Sequence, residues 1–198
     1  MKKFKLIGLT GQSGAGKSTI SATLEQKGAL IINADLLVKE LYQPGSLCIK
    51  VLSSVFGEDI ILSDGNLDCK KLASIAFSDK KNTQILNSIV HPFVTDLFLK
   101  KIKSTVNQNN SVIVYDAPQL FESGFDVMCD MLVGVVADEK IRVERICSRD
   151  NIDKNSALER IKAQYSEDFF RQSCDYIIEN NTDLNSLEKA VNKLLEVI

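Results

Sequence analysis

Near the start of the chain, Gly11-Gln12-Ser13-Gly14-Ala15-Gly16-Lys17-Ser18-Thr19 carries the pattern Gly-x-x-x-x-Gly-Lys-Ser. Each residue type in it has a task around a chain of phosphates. Gly11, Gly14 and Gly16 lack a Cβ, so the backbone can curl with positive φ and approach a ligand closely. The N–H groups of that curl form an anion cradle at the positive end of the following helix. Lys17 reaches the β- and γ-phosphates, and the Ser18 hydroxyl holds Mg²⁺. With Ala15 and Thr19 these residues form the expected ATP-binding loop. The loop leaves an apolar run, Phe4 to Thr10, that suits a buried strand, and enters a helix with Ile20 and Leu24 on one face. That context favours a P-loop over an ordinary glycine-rich turn.

Two carboxylates lie where such a loop could use them. Asn33-Ala34-Asp35 ends the second apolar run, and ligands of open α/β sheets bind at carboxyl strand ends, here expected beside the P-loop. Asp35 suits two roles equally on spacing: accepting a proton from an acceptor hydroxyl, or N-capping a helix from Leu36 to Tyr42. Asp116, in Tyr115-Asp116-Ala117-Pro118, ends the third run. It is placed either to act near Mg²⁺ or substrate, or to start the turn that Pro118 fixes.

Cations come later in the chain. Arg142, Arg145 and Arg149 fall at i, i+3 and i+7, on one helix face, with Arg160 and Arg171 following. Alone, that stripe reads as a solvated surface. After a P-loop the other reading is favoured, because phosphoryl transfer needs cations around the γ-phosphate beyond the lysine. We expect Arg145 and Arg149 to turn toward the triphosphate and Arg142 to be more dispensable. His91 is the only histidine, a residue that by type more often packs or caps than catalyses.

The elements that must position these groups alternate. Residues 4–10, 29–33, 111–115, 131–137 and 175–179 are short runs rich in Val and Ile, as a parallel sheet covered on both faces requires. Helical patterns lie between them. The last has Leu184, Leu187, Val191 and Leu194 on one stripe. The fold class is therefore α/β: a three-layer P-loop kinase fold with a parallel sheet. Residues 35–108 are far more chain than one crossover needs. Leu47, Val51 and Val55 recur at helical spacing, and Ser63-Asp64-Gly65-Asn66 is a turn. Asp68 and Asp79 are helix caps, and a break is expected at His91-Pro92. We read a single domain with its core at about 1–34, 109–138 and 167–198. A helical substrate-side insertion covers about 35–108, with Ser104 to Ser111 returning the chain to the sheet. An Arg-rich lid covers about 139–166.

Composition bounds the rest. The 198 residues, 44% hydrophobic and 25% charged with net charge -2, describe a globular domain and argue against a general nucleic-acid binder. Five scattered cysteines with no CxxC pair point to reduced thiols and a cytoplasmic protein. A cleaved leader would take the P-loop strand with it, and no run of about 18 apolar residues suits a membrane. No obligatory protein partner is expected. Guanine-reading GTPases use Asn-Lys-x-Asp, whereas Asn192-Lys193-Leu194-Leu195 lacks the Asp. A small-molecule kinase fits better, the insertion holding the acceptor and the lid excluding water. Another nucleotide kinase, or a P-loop module that binds ATP without an acceptor, are the alternatives.

Over nearly its whole length the sequence resembles the dephospho-CoA kinase family. The resemblance runs through IGLTGQSGAGKST, IINADLLVKELYQPGS at 31–46, FGEDIILSDGNLDCKKL at 56–72 and NSIVHPFV at 87–94. It continues through YDAPQLFES at 115–123, RICSRD at 145–150, RIKAQ at 160–164 and CDYIIENN at 174–181. It implies MgATP as donor and dephospho-CoA as acceptor in the last step of coenzyme A synthesis. It also implies Asp35 facing the acceptor ribose hydroxyl, and Arg145, Arg149 and Arg160 in the lid. His91 would lie on the substrate side, and Gln164 in the lid segment. Four positions depart from the family's usual residues: Asn33 for Asp, Gln119 for Leu, Cys174 for Ala and Gln12 for Gly. Asn33 leaves Asp35 the sole acid there.

Overall fold

A computed structural model describes residues 4–105 and 111–198. Five strands form one sheet: β1 Lys5–Gly11, β2 Leu30–Asn33, β3 Val112–Asp116, β4 Met131–Val136 and β5 Tyr176–Glu179. In chain order the helices are α1 Lys17–Gln26, α2 Ala34–Leu41, α3 Leu47–Phe56, α4 Cys69–Ala76, α5 Lys80–Thr105, α6 Glu139–Asp150, α7 Lys154–Lys162, α8 Glu167–Ser173 and α9 Leu184–Val197. The chain divides into two compact units, Met1–Ile32 with Gln108–Ile198, and Asn33–Asn107. The expected return segment, Ser104 to Ser111, falls mostly outside the described residues.

In the first unit the strand order is β2-β3-β1-β4-β5, and β1 pairs in parallel with both β3 and β4, as β4 does with β5. β3 thus separates β2 from the strand that carries the P-loop, so Asn33 does not end a strand adjacent to that loop. The strands are apolar on both sides because both faces are covered. Ile7, Leu9, Val114, Val133, Val135 and Ile178 meet Ile20 and Leu24 of α1 and Leu187, Val191 and Leu194 of α9. Leu184, expected on the same stripe, is exposed at the helix start. Elsewhere in this unit the Tyr115 and Phe125 rings stack at 4.2 Å. α6 and α7 pack on each other through Val143, Ile146, Ala157 and Ile161, a small core of their own.

The second unit is helical, and its helix starts are written in side chains. Asn33 Oδ1 accepts from Leu36 N–H at 3.1 Å, Ser46 Oγ from Ile49 N–H at 3.2 Å, and Asp68 Oδ1 from the N–H groups of Lys70 and Lys71. Asp79 Oδ1 accepts from Asn82 N–H at 2.8 Å at the start of α5. α3 buries Cys48, Ile49 and Leu52, whereas Leu47 and Val55 of the expected repeat are exposed. Lys50, Ser53 and Ser54 form the polar side of that helix, and Leu47 falls beside it, away from the buried face. The expected break at His91-Pro92 is absent: α5 runs through Pro92. Proline there removes one helical hydrogen bond and crowds the carbonyl of the preceding turn, together costing about 3 kcal/mol. Pro92 is exposed, however, while Leu86, Val90, Val94, Phe98 and Ile102 are buried along the helix on both sides of it. Continuous packing outweighs the local cost. No described helix is long and apolar enough to cross a membrane.

Candidate active site

β1 delivers the chain into a loop, Gln12 to Gly16, and α1 takes it away. Gly14 and Gly16 have φ of 77° and 93°, where any side chain would be strained. Space forbids one as well. A Cβ on Gly14 would lie 2.7 Å from the carbonyl oxygen of Arg142, and one on Gly16 would lie 2.2 Å from Asn180 Nδ2. Within the loop Gln12 N–H donates to Val135 O at 3.0 Å and Ala15 N–H to Gln12 O at 3.1 Å. The N–H groups of Gly14 and Gly16 meet no protein acceptor among the described residues. α1 has no side-chain cap and no acid in its first turn, so its positive end is left for an anion. Ala15 is buried in the core, and Ser18 is exposed at the start of the helix. The Gln12 side-chain oxygen, where the family usually has glycine, is buried without a hydrogen-bond partner.

Lys17 and Asp116 form an ion pair. Asp116 is buried at the end of β3, in register with Leu9 of β1, so β-sheet pairing brings its carboxylate to the P-loop lysine. Thr10 Oγ1 donates to Pro118 O at 3.3 Å just beyond.

The arginines of α6 part company. Arg142, expected to be the more dispensable, is 4% exposed and donates Nε to Ser13 O at 3.0 Å. Burial lowers its guanidinium pKa. It faces the P-loop because α6 crosses behind it. Arg145 Nη1 donates to Gly14 O, Ala15 O and Asn180 O at 3.3, 3.5 and 3.1 Å. Arg149 instead forks onto Asp150 at 2.7 and 2.8 Å, and Arg160 pairs with the same carboxylate. The Arg149 hydrogen bonds, foremost among these contacts, hold the Asp150 pKa down at about 2. Arg171 pairs with Glu167 and Glu179 on the surface. Gln164 Oε1 accepts from Ser13 N–H at 2.9 Å, which ties the segment after α7 to the P-loop.

In the helical unit, Asn33 is the cap of α2 and Asp35 stands in its first turn. The capping role that sequence allowed Asp35 therefore belongs to the residue two before it. Asp35 is exposed and makes no hydrogen bond or ion pair among the described residues. His91 is half-buried, and that burial lowers its pKa. Thr95 Oγ1 donates to the His91 carbonyl at 2.9 Å. Gln119 is exposed in the loop after β3.

Sequence reasoning gave no role to Asn180, which is 7% exposed and donates Nδ2 to Ala15 O at 2.7 Å. Its one signal was a polar residue directly after a buried strand.

A P-loop between the first strand and helix of a parallel sheet, with a cationic helix behind it, defines an α/β P-loop kinase fold. Residues 5–186 match the family model described as dephospho-CoA kinase. The chain belongs to that family. It is 38% identical over 193 residues to the dephospho-CoA kinase of Fusobacterium nucleatum, with 98% of each chain covered. It is 34% identical to that of Listeria monocytogenes, with 97% of this chain and 96% of the relative covered. The crystal structure of TT1252 from Thermus thermophilus superposes with a TM-score of 0.87 at 28% identity, covering 100% of this chain and 99% of that one.

Proposed function

We propose that this chain transfers the γ-phosphoryl group of ATP to the 3′-hydroxyl of dephospho-CoA, giving coenzyme A and ADP in the last step of coenzyme A synthesis. One observation carries the residue assignments. Two loop amides, Gly14 and Gly16, have no protein acceptor among the described residues, at a helix start without a side-chain cap beside Lys17. Phosphate oxygens are the acceptors such a site takes. Lys17 offsets charge developing between the β- and γ-phosphates, leaving Asp116 when the triphosphate arrives. Asp35 orients the acceptor hydroxyl and receives its proton, while Arg145, Arg149 and Arg160 serve as lid cations around the transferring group. Arg160, His91 and Asp116 also address the acceptor. Because the transition state is loose, positioning and electrostatics outweigh base strength.

The residues fit Mg²⁺ arriving with ATP. The Ser18 hydroxyl and the Asp116 carboxylate are hard oxygen ligands of the kind that ion takes alongside phosphates and water. Among the described residues no group of three or more His, Cys, Asp or Glu could hold a metal alone. Bound there, the ion would neutralise phosphate charge. The protein works in the cytoplasm without an obligatory protein partner.

ATP consumption measured across candidate acceptors tests the assignment. Strong stimulation by dephospho-CoA over other nucleosides and nucleotides is expected. Equal turnover with and without every acceptor would instead make the protein an ATP-binding module.

A further inference from the structure

The carbonyl groups of the P-loop are held from behind, one after another. Ser13 O accepts from Arg142 Nε, Gly14 O from Arg145 Nη1, and Ala15 O from Asn180 Nδ2 at 2.7 Å. A trans peptide is planar, so its N–H points opposite to its C=O. Fixing Ser13 O against Arg142 therefore aims Gly14 N–H the other way. Fixing Ala15 O against Asn180 does the same for Gly16 N–H. Neither of these two amides has a protein acceptor among the described residues. The peptide between them behaves differently, since Ala15 N–H is used internally by Gln12 O.

We propose that Asn180 is a positioning residue for phosphate binding, setting the Ala15–Gly16 peptide so that Gly16 N–H faces the phosphates. It is anchored for that task. Its own N–H donates to Val136 O at 2.9 Å, which extends the β4–β5 pairing, and its carbonyl accepts from Arg145 at 3.1 Å. The backbone that carries the carboxamide is thus fixed on both sides of Cα, by sheet and by helix. It also packs against the Cα of Gly16, where a Cβ would lie 2.2 Å from Nδ2. Glycine at 16 and asparagine at 180 are one fitted pair. Aspartate would keep the shape of Asn180 but present an oxygen to the Ala15 carbonyl.

This inference rests on the P-loop binding ATP and not on the acceptor's identity. Titration of the intact chain with MgATP alone, by calorimetry well below the melting temperature, tests it. Loss of the shorter hydrogen bond on Ala15 O, which leaves that carbonyl only the 3.5 Å contact from Arg145, is expected to weaken ATP affinity by about 10-fold in Asn180→Ala. In steady state the ATP KM should rise while the acceptor KM stays at the wild-type value. A folded Asn180→Ala with wild-type ATP affinity, whatever its melting temperature, overturns the proposal. Should Asn180→Ala not fold, the same titration on Asn180→Ser decides. Its hydroxyl is too short to span to Ala15 O, so affinity falls if the proposal holds and is unchanged if it does not. A wild type that binds ATP yet leaves dephospho-CoA unmodified would remove the proposed acceptor and leave this test intact.

Discussion

At the scale of single residues, the most informative separation is between Asn33 and Asp35. Sequence could not divide capping from chemistry between them, since both types cap helices and they lie two residues apart. In the structure the Asn33 side chain takes the Leu36 N–H, and the Asp35 side chain makes no hydrogen bond or ion pair among the described residues. The two substitutions should therefore fail differently. Asn33→Ala should cost about 1 kcal/mol in unfolding free energy, read by denaturant titration. Asp35→Asn should leave stability near wild type and lower kcat by about 10²- to 10⁴-fold if the carboxylate is the base. A large stability loss in Asp35→Asn with normal turnover would return the cap to Asp35. Lys17→Ala belongs to the same scale. Its kcat should fall by at least about 10²-fold in a protein that still folds, since the lysine answers charge that grows in the transition state.

Among the elements, the strands were legible because sheet burial on both faces writes an unbroken apolar run, and all five appeared within a residue or two of expectation. α5 was misjudged because a local rule about proline met a longer packing stripe. Pro92→Ala should restore the missing hydrogen bond and raise stability, by up to about 3 kcal/mol, measured by thermal or denaturant unfolding. A lower melting temperature would mean that Pro92 shapes packing not visible in its exposure. α6 was found from its spacing, but spacing is blind to what crosses behind it. Arg142 and Arg145 therefore brace the P-loop, while Arg149 and Arg160 share Asp150. That shared carboxylate has a pKa of about 2, below the ordinary 3.8. Its stabilising contribution is complete above the ordinary value and is lost as pH falls through about 2, so Asp150→Asn should matter equally from pH 5 to 8. Arg149→Ala should lower kcat by about 10³- to 10⁵-fold if that guanidinium leaves Asp150 for the transferring phosphoryl group. Unchanged turnover would keep it a surface residue.

For the molecule as a whole, the P-loop announced the chemistry and the linked segments from 31 to 181 announced the family. The contacts that set the loop's orientation were silent, because Arg142, Gln164 and Asn180 reach it from 129, 151 and 165 residues away in sequence. Such partners become visible only when the sheet closes. The central claim joins this phosphate site to one acceptor hydroxyl, and it is tested most directly by identifying the product. Purified protein with MgATP and dephospho-CoA should yield coenzyme A, with the new phosphate on the ribose 3′-oxygen by phosphorus and proton NMR, and one ADP for each coenzyme A formed. ADP and free phosphate with dephospho-CoA unchanged, or phosphate on another oxygen, would contradict it.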